Sequence, residues 1–285
     1  MKNSQKLKHI LITGCSSGIG LEATRLLHAR GHKVVASVRN AADLAQFQVW
    51  GIACVLLDLD NDESINSGLN QALKQLDDRI DVLFNNAAFG QPGAVEDLNR
   101  QVLQAQFNTN VFGTQQLTNQ VIKIMRQQGA GRIVYNSSVL GLVALPYRGA
   151  YNASKFAIEG LADTLRLELR GSGILVSLIE PGPILSQFRA NAFAKYQQNI
   201  DKTDSAHRHV YQAMENRLTK TGPAAPFTLP ASAVVDKLIH TVEAERPKIR
   251  YFVTFPTYLL ATLKRLLPGR LLDWVLCKIS ANEQR

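Results

Sequence analysis

Tyr151 and Lys155 stand one helical turn apart in the run Tyr-Asn-Ala-Ser-Lys, where an amphipathic pattern begins, so a helix there projects both from one face. A phenol beside an ammonium can move a proton. Free tyrosine has a pKa of about 10, and work near neutrality asks for a downward shift worth roughly 3 to 4 kcal/mol, which nearby positive charge can supply. Taken alone, a Tyr-x-x-x-Lys pair is more often a solvated helix face. The company it keeps favours chemistry. Ser138 precedes it in Asn136-Ser137-Ser138-Val139-Leu140-Gly141, just beyond a strand pattern, where a hydroxyl could donate to a substrate oxygen. Further upstream, Asn85-Asn86-Ala87-Ala88 closes another strand, and Asn108-Thr109-Asn110-Val111-Phe112-Gly113 interrupts a helical pattern, the signature of a bound water or a π-bulge.

A second group of residues suits an anion. Thr13-Gly14-Cys15-Ser16-Ser17-Gly18-Ile19-Gly20 follows the first strand and opens the first helix. Gly14 permits a tight turn, Gly18 lets backbone approach a pyrophosphate, Gly20 lets helix pack on strand, and free N–H groups at the helix start attract negative charge. The spacing departs from G-x-G-x-x-G, and a plain strand-to-helix turn is the alternative. A cofactor with a free 2′-hydroxyl calls for a carboxylate at the end of the second strand. Here that strand ends Ser37-Val38-Arg39, so the 2′-phosphate of NADP(H) is favoured over a reading of Arg39 as an exposed loop charge. Asp58, after the third strand, could accept from an adenine amino group or simply close a turn.

The elements that must position these residues follow from periodicity. Short β-branched runs at 9–13, 33–38, 53–57, 80–84, 132–136, 175–180 and 249–253 read as strands of one parallel sheet. Helical patterns lie between them at 19–30, 63–76, through 98–126, at 151–170 and at 231–245. Such alternation predicts an α/β fold, a Rossmann-like doubly wound parallel sheet of about seven strands flanked by helices, with residues 1–285 forming a single domain. Residues 184–230 break the rhythm with a polar stretch that holds no convincing strand, a length typical of a lid or of disorder.

At 285 residues and 46% hydrophobic, the chain can bury a substantial core. Its three cysteines, Cys15, Cys54 and Cys277, show no paired or zinc-type spacing, which predicts a reducing compartment. His207 and His209 lack a third ligand nearby, so no metal is expected. The opening residues carry only a strand-length apolar run, read as the absence of an export signal, and a cytoplasmic protein is expected, with membrane association as an option. The net charge of +9 would suit nucleic acid, an anionic surface or an anionic ligand, but no arginine-rich tract or base-stacking motif supports nucleic acid.

Taken together, the T-G-x-x-x-G-x-G, N-N-A, N-x-x-G, serine, Y-x-x-x-K and P-G elements, in this order from Lys8 to about Ser186, resemble the classical short-chain dehydrogenase/reductase family. Arg39, the Cys15-Ser16-Ser17 filling and Pro181-Gly182-Pro183-Ile184 look most like its hydroxysteroid and retinol dehydrogenase branch, which includes bacterial NADP-dependent aldehyde and ketone reductases. The resemblance implies an oxidoreductase in which Tyr151 gives or takes the proton, Lys155 holds the nicotinamide ribose and lowers the Tyr151 pKa, Ser138 orients the carbonyl, and Asn110 supports a proton-relay water. It also implies that Gly14, Ser16, Ser17, Gly18, Ile19 and Gly20 embrace the pyrophosphate side, Asp58 and Leu59 the adenine, and Asn86 and Ala87 the adenosine ribose region. Pro181, Gly182, Ile184 and Ser186 would frame the nicotinamide. Two positions depart from the family pattern: Ala88 stands for the usual glycine, and Ser186 for a frequent threonine.

By the same resemblance residues 184–230 supply a substrate lid, whose Phe188, Phe193, Tyr196, Tyr211 and Met214 suit a lipophilic carbonyl or alcohol substrate or, equally, ordinary helix packing. The apolar extension at 251–285 is interrupted by Lys264, Arg265, Pro268-Gly269 and Arg270, so it cannot be one spanning helix. Packing on the domain or on a neighbouring subunit of a homo-oligomer is favoured over a peripheral rest on anionic lipid. The alternative to an enzyme is a non-catalytic NADP-binding sensor or scaffold, against which stands the occupancy of all four catalytic positions.

Overall fold

The computed structural model describes residues 6–281; the first five positions, read above for an export signal, and 282–285 of the apolar extension lie outside the described residues. Seven short runs, six of them carrying valine, isoleucine or leucine and the last aromatic, extend and pair, because branched and aromatic side chains pack well on a pleated surface. They are β1 (His9–Ile12), β2 (Lys33–Val38), β3 (Ala53–Leu56), β4 (Val82–Asn85), β5 (Gly131–Asn136), β6 (Ile174–Glu180) and β7 (Arg250–Phe252). All pair in parallel in the order β3-β2-β1-β4-β5-β6-β7. The chain therefore winds outward from β1 to β3, returns to β4 and winds out the other way. A crevice opens at the carboxyl ends of β1 and β4, where the direction reverses.

Strand period decides which residue faces which layer. Leu11 points to the side covered by α3 (Asp62–Gln75), α5 (Thr114–Gln128) and α6 (Gly149–Glu168), while Ile10 and Ile12 point to the side covered by α1 (Gly18–Ala29), α2 (Ala45–Gln48) and α9 (Ser232–Glu243). Both faces are buried, as a parallel sheet requires. Asn61 starts α3 by accepting from the Ser64 backbone N–H at 2.8 Å, and Asn99 starts α4 (Arg100–Phe107) by accepting from Val102 N–H at 2.9 Å.

The stretch read as one long helix is three pieces. A π-helical turn at Asn108–Gly113 separates α4 from α5, at the polar interruption noted in the sequence. Gly113 makes it compatible with the fold, since a Cβ there would lie 1.7 Å from the Leu59 carbonyl oxygen.

Residues 184–230 are more regular than their composition suggests. They fold into α7 (Phe188–Asn199) and α8 (Arg208–Thr219), closed at the base by a parallel bridge between Ile184 and Leu229. Val210, Tyr211, Met214 and Leu218 recur at helical spacing and are buried, but polar residues between them hide the pattern. The C-terminal extension begins with β7 and continues as α10 (Phe255–Leu266) and α11 (Gly269–Ala281), broken at Pro268. Leu260 and Leu276 seat this pair on Val139 and Val143. Among the described residues no helix is long and apolar enough to cross a membrane.

Candidate active site

The glycine-rich turn is built by close backbone approach. Gly14 (φ +69°) and Gly18 (φ +58°) occupy the left-handed region. A Cβ on Gly14 would sit 2.7 Å from Ala87 Cα, and one on Gly20 would sit 2.2 Å from the Gly14 carbonyl oxygen. Ser17 precedes α1 in extended conformation and makes no side-chain capping bond, which leaves the N–H groups of the first turn to a ligand. Ser16 is exposed, Ile19 packs on the α1 side of the core, and Ser186 comes up against Gly18, whose Cβ would lie 3.1 Å from the serine Cβ.

A run of hydrogen bonds ties this turn to the acid/base pair. Thr13 Oγ1 accepts from the Asn86 and Ala87 N–H groups at 3.0 Å each. Asn86 Nδ2 donates to the Thr13 and Gly14 carbonyls at 2.9 and 3.0 Å. Asn136 Nδ2 donates to Asn86 Oδ1 at 2.9 Å, and Lys155 Nζ donates to the Asn136 carbonyl at 2.7 Å. The two clusters recognised separately in the sequence are one construction. Asn136 is the joint between them, and nothing in its local motif marks it as such.

At the other end, Ser138 stands beside the Tyr151 phenol, close enough for its hydroxyl to favour the phenolate, and Ser138 Oγ accepts from Leu140 N–H at 3.1 Å. Asn110 is buried in the π-turn, where Nδ2 donates to the Phe89 carbonyl at 3.0 Å and to Ser154 Oγ at 3.1 Å. Ser154 Oγ in turn donates to the Tyr151 carbonyl at 2.8 Å. Asn110 thereby fixes the first turn of α6, the turn that carries Tyr151. The Phe188 ring of α7 stands edge-on to Tyr151 at 5.2 Å between centroids, over Gly90, where a Cβ would meet it at 2.8 Å.

Electrostatics in the free chain differ from what the resemblance implies for Tyr151. Burial pushes the phenol well above its usual range, with the neighbouring Ser138 hydroxyl opposing only in part. Lys155 Nζ lies 5.6 Å from the ring centroid, and burial pulls the lysine itself down to about 8 against the charge of Glu159. Desolvation dominates at Tyr151, so the phenol stays protonated.

Behind the lysine lies a buried ionic cluster that the sequence did not reveal. Glu159, one turn further along α6, accepts from Ser137 Oγ and from Arg250, which also donates to Glu180 and, at 2.6 Å, to Asp163. One guanidinium faces three carboxyl groups. Glu180 is fully buried, and burial, reinforced by the Glu159 charge, pushes its carboxyl up to about 8 against the pull of Arg250.

The remaining predicted contacts are spread along the strand ends. Arg39 is exposed immediately beyond β2 and makes no ion pair among the described residues. Asp58 Oδ1 accepts from Asp60 N–H at 3.0 Å, so the turn-closing role is real, and neighbouring Leu59 is buried against Gly113. The Pro181 carbonyl accepts from Val139 N–H at 2.8 Å, and Gly182 leaves room for Thr254, whose Oγ1 a Cβ would meet at 2.1 Å. The cradle fits a dinucleotide: its glycines leave room where side chains would intrude, α1 offers N–H groups, and buried Asn136 Oδ1 has no partner among the described residues.

Comparison with known proteins bears on the same residues. A family model described as short chain dehydrogenase matches residues 8–197. The chain is 44% identical over 269 residues to the uncharacterized oxidoreductase YbbO of Escherichia coli (strain K12), covering 94% of each. It is 33% identical to human retinol dehydrogenase 8 over 90% of this chain and 84% of that one. A crystal structure of a short chain dehydrogenase/reductase from Burkholderia phymatum in complex with NAD superposes with a TM-score of 0.77 at 25% identity, covering 95% of both chains.

Proposed function

The chain belongs to the short-chain dehydrogenase family, and from that premise we propose that it uses NADP(H) to reduce a lipophilic aldehyde or ketone. Membership makes it an oxidoreductase that transfers a hydride, with a nicotinamide cofactor, at a carbonyl or alcohol carbon. The reading rests above all on Tyr151 and Lys155, one turn apart on α6 beside Ser138, with Lys155 joined through Asn136 and Asn86 to the glycine-rich turn.

Bound NADPH would supply the hydride. Ser138 then donates to the substrate carbonyl oxygen and polarises it, and Tyr151 gives its proton to that oxygen as the carbonyl carbon is reduced, which yields the alcohol. Lys155 holds the nicotinamide ribose, and its ammonium steadies the phenolate left behind. Arg39 supports NADP(H) over NAD(H): it is an exposed guanidinium free to pair with a 2′-phosphate, at the strand end where a carboxylate would repel one. The Phe188 ring over Tyr151 favours an apolar substrate, with 184–230 as its lid, while Tyr196 and Tyr211 are buried in the packing of α7 against α8. The name of retinol dehydrogenase 8, after a lipophilic alcohol, supports the same choice.

The test is NADPH consumption, followed by absorbance, across aldehydes and ketones of increasing chain length. Rising kcat/KM with apolar length is expected. A preference for small polar carbonyls overturns the substrate class, and tight NADP(H) binding with no turnover on the whole panel favours the sensor or scaffold alternative.

A further inference from the structure

We infer that the α10–α11 hairpin is a docking face for the surface of an anionic lipid bilayer. Its inner side is already satisfied, since Leu260 and Leu276 are buried against Val139 and Val143. Its outer side is apolar and open. Phe255, Tyr258, Leu259 and Leu266 form one stripe of α10, with Leu266 72% exposed, and Leu271 and Trp274 form one on α11, with Trp274 59% exposed. Isolated exposed apolar residues are ordinary, but six large ones on two adjoining short helices make a patch that water disfavours. Exposed Phe227, in the loop after α8, packs its ring at a tilt against Phe255, 5.1 Å between centroids, and extends the patch onto the 184–230 segment.

Charge selects the occupant. Arg265, Arg270 and Lys278 accompany these residues, while Lys264 turns inward to the Leu142 carbonyl, and Asp273 is the one acidic side chain between 255 and 281. A second copy docking by two-fold symmetry would bring this basic face against itself. Anionic headgroups reverse the sign of that interaction. Trp274 and Tyr258 are amphipathic rings of the kind that settle at headgroup depth, and helices of 12 and 13 residues broken at Pro268 lie along an interface. The inference stands apart from the proposed reaction, because vesicle binding is read without turnover.

The chain contains two tryptophans, so Trp50→Phe leaves Trp274 as sole reporter. On titration with phosphatidylserine/phosphatidylcholine vesicles at low salt, a blue shift of Trp274 emission and co-sedimentation are expected. Binding should weaken at least tenfold with pure phosphatidylcholine, with high salt, or in Arg265→Glu/Arg270→Glu. Leu266→Ser should weaken it at any salt. These positions are exposed, and unchanged circular dichroism serves as the folding control. Co-sedimentation of the unmodified chain gives the same answer without the Trp50 change. No lipid-dependent pelleting and no spectral shift with anionic vesicles at low salt overturn the inference, as does concentration-dependent dimerisation that buries Trp274 in the absence of lipid.

Discussion

Burial sets the starting state of the two central residues: Tyr151 keeps its proton, and Lys155 is brought down to about 8, within reach of ordinary working conditions. Reduction as proposed needs a protonated phenol and a charged lysine. Because kcat/KM reports groups of the free enzyme, the NADPH-dependent profile should be level below about pH 8 and fall above it as Lys155 loses its charge. Glu159→Gln removes a negative charge that props Lys155 up, so the fall should move to lower pH; an unmoved limb would show that Glu159 does not act on the lysine. Arg39→Asp should cut the NADPH-to-NADH ratio of kcat/KM by about tenfold or more, by replacing a phosphate partner with a like charge. An unchanged ratio would assign phosphate recognition to another group. Tyr151, Lys155, Ser138 and the glycines were legible because their spacing is local. Asn136 and Glu159 were not, since their importance comes from partners distant in the chain.

Elements place these residues by backbone contact as much as by side chains. Gly20→Ala would drive a Cβ into the Gly14 carbonyl, so thermal unfolding should show a loss of about 1–3 kcal/mol, with weaker NADP(H) binding. Gly160, in the interior of α6, would gain a Cβ with nothing within 4 Å. Gly160→Ala should therefore stabilise the chain by about 0.5–1 kcal/mol through helix propensity alone. If both substitutions had the same sign, backbone approach would not be what Gly20 provides. Sheet and flanking helices were readable from the alternation of period, and the π-turn from Asn108, Asn110 and Gly113 within an apolar helix. The helices α7 and α8 were not, because α7 buries only Ala192 and Tyr196 and the buried positions of α8 are set among polar residues.

At the scale of the molecule, Arg250 joins β7 to β6 through Glu180 and to α6 through Glu159 and Asp163. Arg250→Met would leave buried Glu159 without its counter-charge and buried Glu180 without its hydrogen-bond donor, and should cost about 3–5 kcal/mol in denaturant unfolding. Glu180 adds a pH dependence whose sign follows from its raised pKa. Between 4.5 and about 8 the folded chain holds a proton that the unfolded chain releases, so this contribution is full below 4.5 and is lost as pH rises through about 8. Glu180→Gln should flatten that part of the stability profile, and a slope unchanged in the variant would place the proton elsewhere. No sequence pattern pairs residues so far apart, which is why this cluster became visible only in the folded chain. The central claim is that a hydride passes from nicotinamide to a carbonyl carbon beside Tyr151. It is tested most directly by mass spectrometry of the alcohol formed from NADPH deuterated at its transferable position. The account predicts deuterium on the carbinol carbon with the unmodified chain and, with Tyr151→Phe that still binds NADP(H), a rate lower by at least about a hundredfold. Equal labelled product from both proteins would contradict it.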